Sequence, residues 1–381
     1  MNGSTAPGFL ELNQGSGLRG CRVRGPRPEA RGLVVTLPAV VFEKTPGEVQ
    51  ELLPVPIKEL GLKLEGSQIE RFVEQLFREL EGKGLKHFRP AFYLTSEWGC
   101  PSEEPVIGVP FYLADPRLGA IESAVNDIEN EREIMMYMRH EAGHAFNYAY
   151  ELYNTDEWRE VFGPFRRPYR DHYSYVPFSR NFVRHIAGWY AQKHPDEDFA
   201  ETFAVWLTPR SKWRDKYKDW PAMKKLRYVD RVCHDVGDKP PLRPLGETDF
   251  TVEDMEETIE DFYREHSRDE SKAIADLALD VDLDDIFKHV EDVPAERQKK
   301  AGEMVTDHRR DIVDKVSYWT GVRRSLVKTL VEAIAKKVDE LGLVADSANE
   351  REQIVELTVY ITTLAMNFFT ARRLRRKATQ P

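Results

Sequence analysis

His140 and His144 lie four residues apart, a spacing that on a helix projects both imidazoles from one face about one turn apart. Two imidazoles so placed can share one Zn²⁺, while Glu141 cannot easily reach the same ion and is left beside it as a general base. A pair of helix-surface histidines is the competing reading of these residues alone. A catalytic zinc site also needs a third protein ligand and an open position. The run His194-Pro195-Asp196-Glu197-Asp198-Phe199-Ala200-Glu201 offers carboxylates on a second helical stretch. Glu197 and Glu201 share a face. The first can ligate zinc while the second accepts the N–H of a liganding histidine and fixes its tautomer; an exposed helix carboxylate is the alternative for Glu201. Asp198, about 100° around the helix from Glu197, competes for the ligand role or is a first-turn carboxylate favoured by the helix dipole.

Taken together, His140-Glu141-x-x-His144 and the downstream Tyr190-x-x-x-His194-Pro195-x-Glu197-Asp198-Phe199-Ala200-Glu201-Thr202-Phe203-Ala204 resemble a bacterial family of zinc-binding metallopeptidases in the gluzincin group of zincins. The resemblance covers roughly Met138 to Leu207. The arrangement is also similar to thermolysin-type and anthrax lethal factor-type sites. It implies zinc held by His140, His144 and Glu197, with Glu201 supporting a histidine. It also implies that Tyr190, seven residues before Glu197, assists the oxyanion; packing is the other role open to Tyr190. Members often begin with a cysteine zinc ribbon, which this chain lacks.

The implied reaction is peptide-bond hydrolysis. Zinc would lower the pKa of a water from about 15.7 toward about 7, and Glu141 would take the water proton and pass it to the leaving amine. The Tyr190 hydroxyl would share the oxyanion with zinc. Two alternatives stand beside this reading: a zinc-stabilised, non-catalytic binding or scaffold protein, and a zinc hydrolase of a non-peptide amide.

The elements that must position these residues follow from the periodicity. Helical spacing runs over Gln68 to Leu80, and Ile121 to Tyr153 reads as one or two helices carrying the histidines. Another helix spans about Glu197 to Leu207. Strand signals occur at Leu33-Val34-Val35-Thr36-Leu37, over Arg89 to Leu94 and over Val106 to Leu113. Pro110 in the last of these suits an edge strand, against which zincins hold an extended peptide. The connection Phe165 to Tyr175 carries arginines that could meet an acidic substrate or a peptide C-terminus. His172, His185 and His194 read as supporting or packing residues.

After Pro240-Pro241 the chain turns to charged amphipathic helices. Thr251-Val252-Glu253-Asp254 resembles a capping box, and helical patterns run over Ala295 to Trp319, Val322 to Leu341 and Ser347 to Arg376. The expected fold is α+β: a flexible leader over 1–32, a zincin-like domain with a small mixed sheet and active-site helices over 33–239, and a C-terminal helical bundle over 240–381. The bundle would narrow the cleft or recruit a protein partner. Asp280 to Asp285 lacks the glycine and terminal glutamate of a calcium loop and reads as a helix-start cluster. The basic run Arg372 to Lys377 reads as a solvated helix end.

Composition bounds the rest. A chain of 381 residues with a formal charge of -10 lacks the concentrated basic footprint of a nucleic-acid binder. The chain has 3 cysteines, widely spaced and without a C-x-x-C pair, which suit a reducing, cytoplasmic setting and leave any metal to histidine and carboxylate ligands. The apolar stretch Leu357 to Phe369 is too short to span a bilayer comfortably. The partner that the resemblance implies is a peptide or protein substrate.

Overall fold

A computed structural model describes residues 47–125, 128–170, 173–266, 280–322 and 324–378. The leader, the strand at Leu33 to Leu37 and His172 lie outside these residues. The architecture is rich in helices with two small two-stranded sheets among the described residues, α+β in class.

Helix α1, Gln68–Gly82, starts where the Ser67 hydroxyl accepts from the Ile69 N–H, and it buries Ile69, Phe72, Leu76 and Leu80 on one stripe. Strands β1, Ala91–Thr95, and β2, Val106–Pro110, pair in parallel. β2 differs from the exposed edge expected of it. All five residues are buried, and Gly108 exchanges backbone hydrogen bonds with Gly99 on an isolated antiparallel bridge. The strand also stops at Pro110, and Phe111–Leu113 forms a 3-10 turn, because proline cannot extend the ladder. Gly108 is required there: a Cβ would sit 2.7 Å from the Thr95 methyl.

The stretch from Ile121 to Tyr153 resolves into two helices, α2 over Pro116–Val125 and α3 over Glu131–Ala149. Asn130 and Glu133 form a reciprocal capping box at the start of α3: the Asn130 side chain accepts from the Glu133 N–H (3.0 Å), and the Glu133 carboxylate accepts from the Asn130 N–H (3.0 Å). Arg139 donates two 2.7 Å bonds to Glu79, tying α3 to α1. After α4, Asp156–Phe162, a long connection leads to α5, Pro195–Leu207, every residue of which is buried. Helix α6, Met223–Val236, packs against it.

Helices α3 and α5 meet at Gly143. A Cβ on Gly143 would fall 2.7 Å from the Ala200 Cα and 3.0 Å from its carbonyl oxygen, so only glycine permits this approach. The stacked rings of Phe146 and Phe203, 5.0 Å apart, extend the contact.

One apolar core runs from Val49 to Tyr263 and a second from Leu283 to Ala365. Val252, Met255, Ile259, Phe262 and Tyr263 belong to the first, beyond the Pro240-Pro241 junction where the sequence suggests a boundary. The Thr251 and Asp254 box is present but opens only a 3-10 turn. Helix α7, Ile259–His266, begins after Thr258, whose hydroxyl accepts from the Asp261 N–H.

The second core is built by α8, Asp280–Ile286, and by a helical series divided by strand pairing. β3, Gln298–Lys300, pairs antiparallel with β4, Val344–Asp346. Between them lie α9 (Ala301–Asp307), α10 (Arg309–Thr320) and α11 (Arg324–Glu340); α12 (Glu350–Ala378) follows. The single helical pattern expected over Ala295 to Trp319 is thus broken by long-range pairing and again at His308. The acidic Asp280 to Asp285 run is helical. Among the described residues, no helix is long and apolar enough to cross a membrane.

Candidate metal centre

The helix contact at Gly143 sets His140 and His144 against the first two turns of α5. His140 Nε2 lies 3.0 Å from Glu197 Oε2, His144 Nε2 lies 3.2 Å from the same oxygen, and the two Nε2 atoms are 3.2 Å apart. Three corners of a tetrahedron with bonds of about 2.0 Å are separated by about 3.3 Å. These three buried side chains could therefore hold a metal ion.

The outer ring nitrogens explain why both Nε2 atoms point inward. His140 Nδ1–H donates to Glu201 Oε1 at 3.0 Å, and His144 Nδ1–H donates to Asp196 Oδ2 at 2.9 Å. With Nδ1 protonated, each neutral imidazole turns an Nε2 lone pair to the centre. Glu201 is itself held by the backbone N–H groups of His185 (3.1 Å) and Ile186 (3.0 Å). Asp196 accepts from Asn147 Nδ2 (2.9 Å) and the Tyr148 hydroxyl (2.5 Å).

Three converging lone pairs in a buried site repel unless positive charge lies between them. The titration behaviour expresses that demand. Burial alone would push His140 down, yet hydrogen bonds to Glu197 and Glu201 carry it up to about 9. His144 is likewise raised against burial, by Asp196 and Glu197. Burial would raise Glu197, but both histidines hold it well below the usual carboxylate range. A divalent cation would answer the same demand, and two imidazoles with one carboxylate are a zinc donor set.

Glu141 stands next to the pair with no hydrogen-bond partner among the described residues, and burial raises its pKa. Tyr190 lies in a 3-10 turn directly after Trp189, which takes a left-handed conformation (φ 59°). Its ring centroid is 5.5 Å from that of His140, and its hydroxyl accepts from Lys193 Nζ at 3.3 Å.

The structure brings together His140, Glu141, His144, Tyr190, Glu197 and Glu201. It sends Asp198 elsewhere: the carboxylate turns to Lys225 Nζ at 2.6 Å, and burial still lifts its pKa to about 7. His194 is the N-cap of α5, its Nδ1 accepting from the Asp196 N–H. His185 hydrogen-bonds the Met136 carbonyl through Nε2.

Four residues at the centre are not singled out by sequence reading: Asp196, Asn147, Tyr148 and Tyr169. Asn147 and Tyr148 stand three and four residues after His144, a spacing that shares its face. Tyr169 donates its hydroxyl to Glu197 Oε1 from 28 residues away in sequence, and no periodic signal marks it. A surface depression of about 530 Å³ lined by His308, Ser347, Glu350 and Arg351 lies among the C-terminal helices, away from this cluster.

Residues 121–215, a quarter of the chain, match the sequence profile of the family described as Putative zinc-binding metallo-peptidase. The matched span contains every residue of the cluster. No curated protein and no solved structure matches the chain.

Proposed function

We propose that this protein is a zinc-dependent metallopeptidase of gluzincin type that hydrolyses peptide bonds. The observation that carries the reading is the convergence of His140 Nε2, His144 Nε2 and Glu197 Oε2 within 3.2 Å, each imidazole braced from behind by a carboxylate. Zinc held by these three residues would supply Lewis acidity and an acidified water at neutral pH. Glu141 would take a proton from a water in the site and deliver it to the leaving amine. Tyr190, beside His140, donates its hydroxyl to the oxyanion as the tetrahedral carbon forms. Glu201 and Asp196 keep the imidazoles in one tautomer and orientation.

The test is a proteome-derived peptide library incubated with zinc-loaded wild type and Glu141→Gln, read by mass spectrometry. Wild type should generate new termini, and the variant should generate none while retaining one zinc per chain. Equal turnover by the two proteins would remove Glu141 as the base.

One observation favours a second reading. His140 and Glu197 are only 2% and 3% exposed, as in a metal that staples a fold. On that reading chelation lowers the melting temperature while no peptide is cut. In either case the C-terminal helices are proposed to narrow the approach or to recruit a protein partner.

A further inference from the structure

We propose that Tyr169 is a positioning residue that holds Glu197 to a single-oxygen ligand and so preserves the metal's fourth position; the inference rests on the metal reading above. Glu197 divides its carboxylate between two tasks. Oε2 faces both histidines, at 3.0 and 3.2 Å, whereas Oε1 accepts the Tyr169 hydroxyl. A carboxylate with both oxygens uncommitted can bind a cation through both, filling the position that a catalytic site leaves to water. The phenol donor engages Oε1 and turns it from the centre.

Tyr169 is suited to this because its place is wired to the start of α5. Its ring lies 5.3 Å from that of His194 and beneath Lys193 Nζ at 4.3 Å from the centroid. His194 Nδ1 accepts from the Asp196 N–H, so the ring proton resides on Nε2 and is donated to the Arg167 carbonyl at 2.8 Å. Arg167 in turn donates to the Lys193 carbonyl at 2.8 Å. The connection is thereby clasped to the helix cap two residues before Tyr169 and three residues before Glu197. Tyr169 is 37% exposed, so removing its hydroxyl leaves the apolar core untouched.

The experiment compares full-length wild type with Tyr169→Phe, which keeps the ring contacts and deletes only the donor. Zinc affinity is measured by chelator competition, and the visible absorption of the Co²⁺-loaded proteins reports coordination number, because four-coordinate cobalt absorbs more strongly than five-coordinate cobalt. The expected result is a weaker cobalt band in the variant, as Oε1 joins the metal, with zinc affinity changed by about 10- to 100-fold. Equal affinity and superimposable cobalt spectra in the two proteins would overturn the role of Tyr169 and leave the metal reading intact. Failure of wild type to take up zinc or cobalt stoichiometrically would overturn both.

Discussion

Gly143 and Ala200 lie in direct backbone contact, and a single added methyl on Gly143 would meet the Ala200 Cα at 2.7 Å. The contact sits within one turn of His140, His144 and Glu197, so it sets the distance across which the two Nε2 atoms and Glu197 Oε2 converge. Gly143→Ala is expected to force the two helices apart. Overpacking of this kind costs about 1–3 kcal/mol, and urea unfolding should show it as a lower midpoint at unchanged slope. Zinc uptake should weaken in the same variant. An unchanged midpoint would show that the helices part without cost.

On the proposed zinc reading, Asp196→Asn should weaken zinc binding about 10- to 100-fold through His144, since outer partners of ligating histidines are typically worth that much. Asn147, whose Oδ1 has no hydrogen-bond partner among the described residues, can turn its amide to accept from the new NH2, so the apoprotein should melt close to wild type. Chelator competition and thermal unfolding of the metal-free proteins separate the two effects.

Glu201→Gln is expected to be more damaging to the fold. Glu201 is fully buried and accepts from His140 Nδ1 and from two backbone N–H groups. An amide nitrogen in place of one oxygen would face a donor, and an unsatisfied buried group costs about 1–3 kcal/mol. Denaturant unfolding of metal-free Glu201→Gln against metal-free Asp196→Asn measures the difference; equal stabilities would contradict the asymmetry.

Metal removal should destabilise the whole first core. A ligand present at 1,000 times its dissociation constant contributes about 4 kcal/mol, and the stripped site leaves buried carboxylates and imidazoles facing one another. Differential scanning calorimetry with and without chelator should show a fall in melting temperature that zinc restores.

Acid should loosen the C-terminal helices through Asp346. Burial raises this carboxyl, but the Ala348 N–H, the Arg297 guanidinium and the Asn349 side chain outweigh it and hold its pKa below the ordinary value. Because the folded pKa is depressed, the stabilisation is complete above the unfolded value of about 3.9 and is lost as pH falls through the folded value. Thermal melts from neutral pH downward should show this loss in wild type and a flatter profile in Asp346→Asn.

Much of the site is legible in the sequence because its residues recur with helical spacing. His140, Glu141 and His144 share one helix, Glu197 and Glu201 another, and a four-residue interval predicts a common face in both. The choice among Asp196, Glu197 and Asp198 is harder, since three adjacent carboxylates point in three directions and the rotation of α5 is set by Gly143 and Ala200, on separate helices. Tyr169 reaches Glu197 along an irregular connection, for which periodicity has no signal. The same limit applies to the sheet. Pro110 suggests an exposed edge, whereas Gly99 and the surrounding core enclose β2. Gln298 to Lys300 reads as helix until Val344 to Asp346 is there to pair with it.

Glu201 is gripped by the backbone N–H groups of His185 and Ile186, not by their side chains. Every amino acid except proline carries that donor. Substitution can therefore accumulate at 186, whose side chain makes no hydrogen bond, across descendants of this chain while the brace on His140 persists, and an isolated change to proline at 185 or 186 would be the costly one.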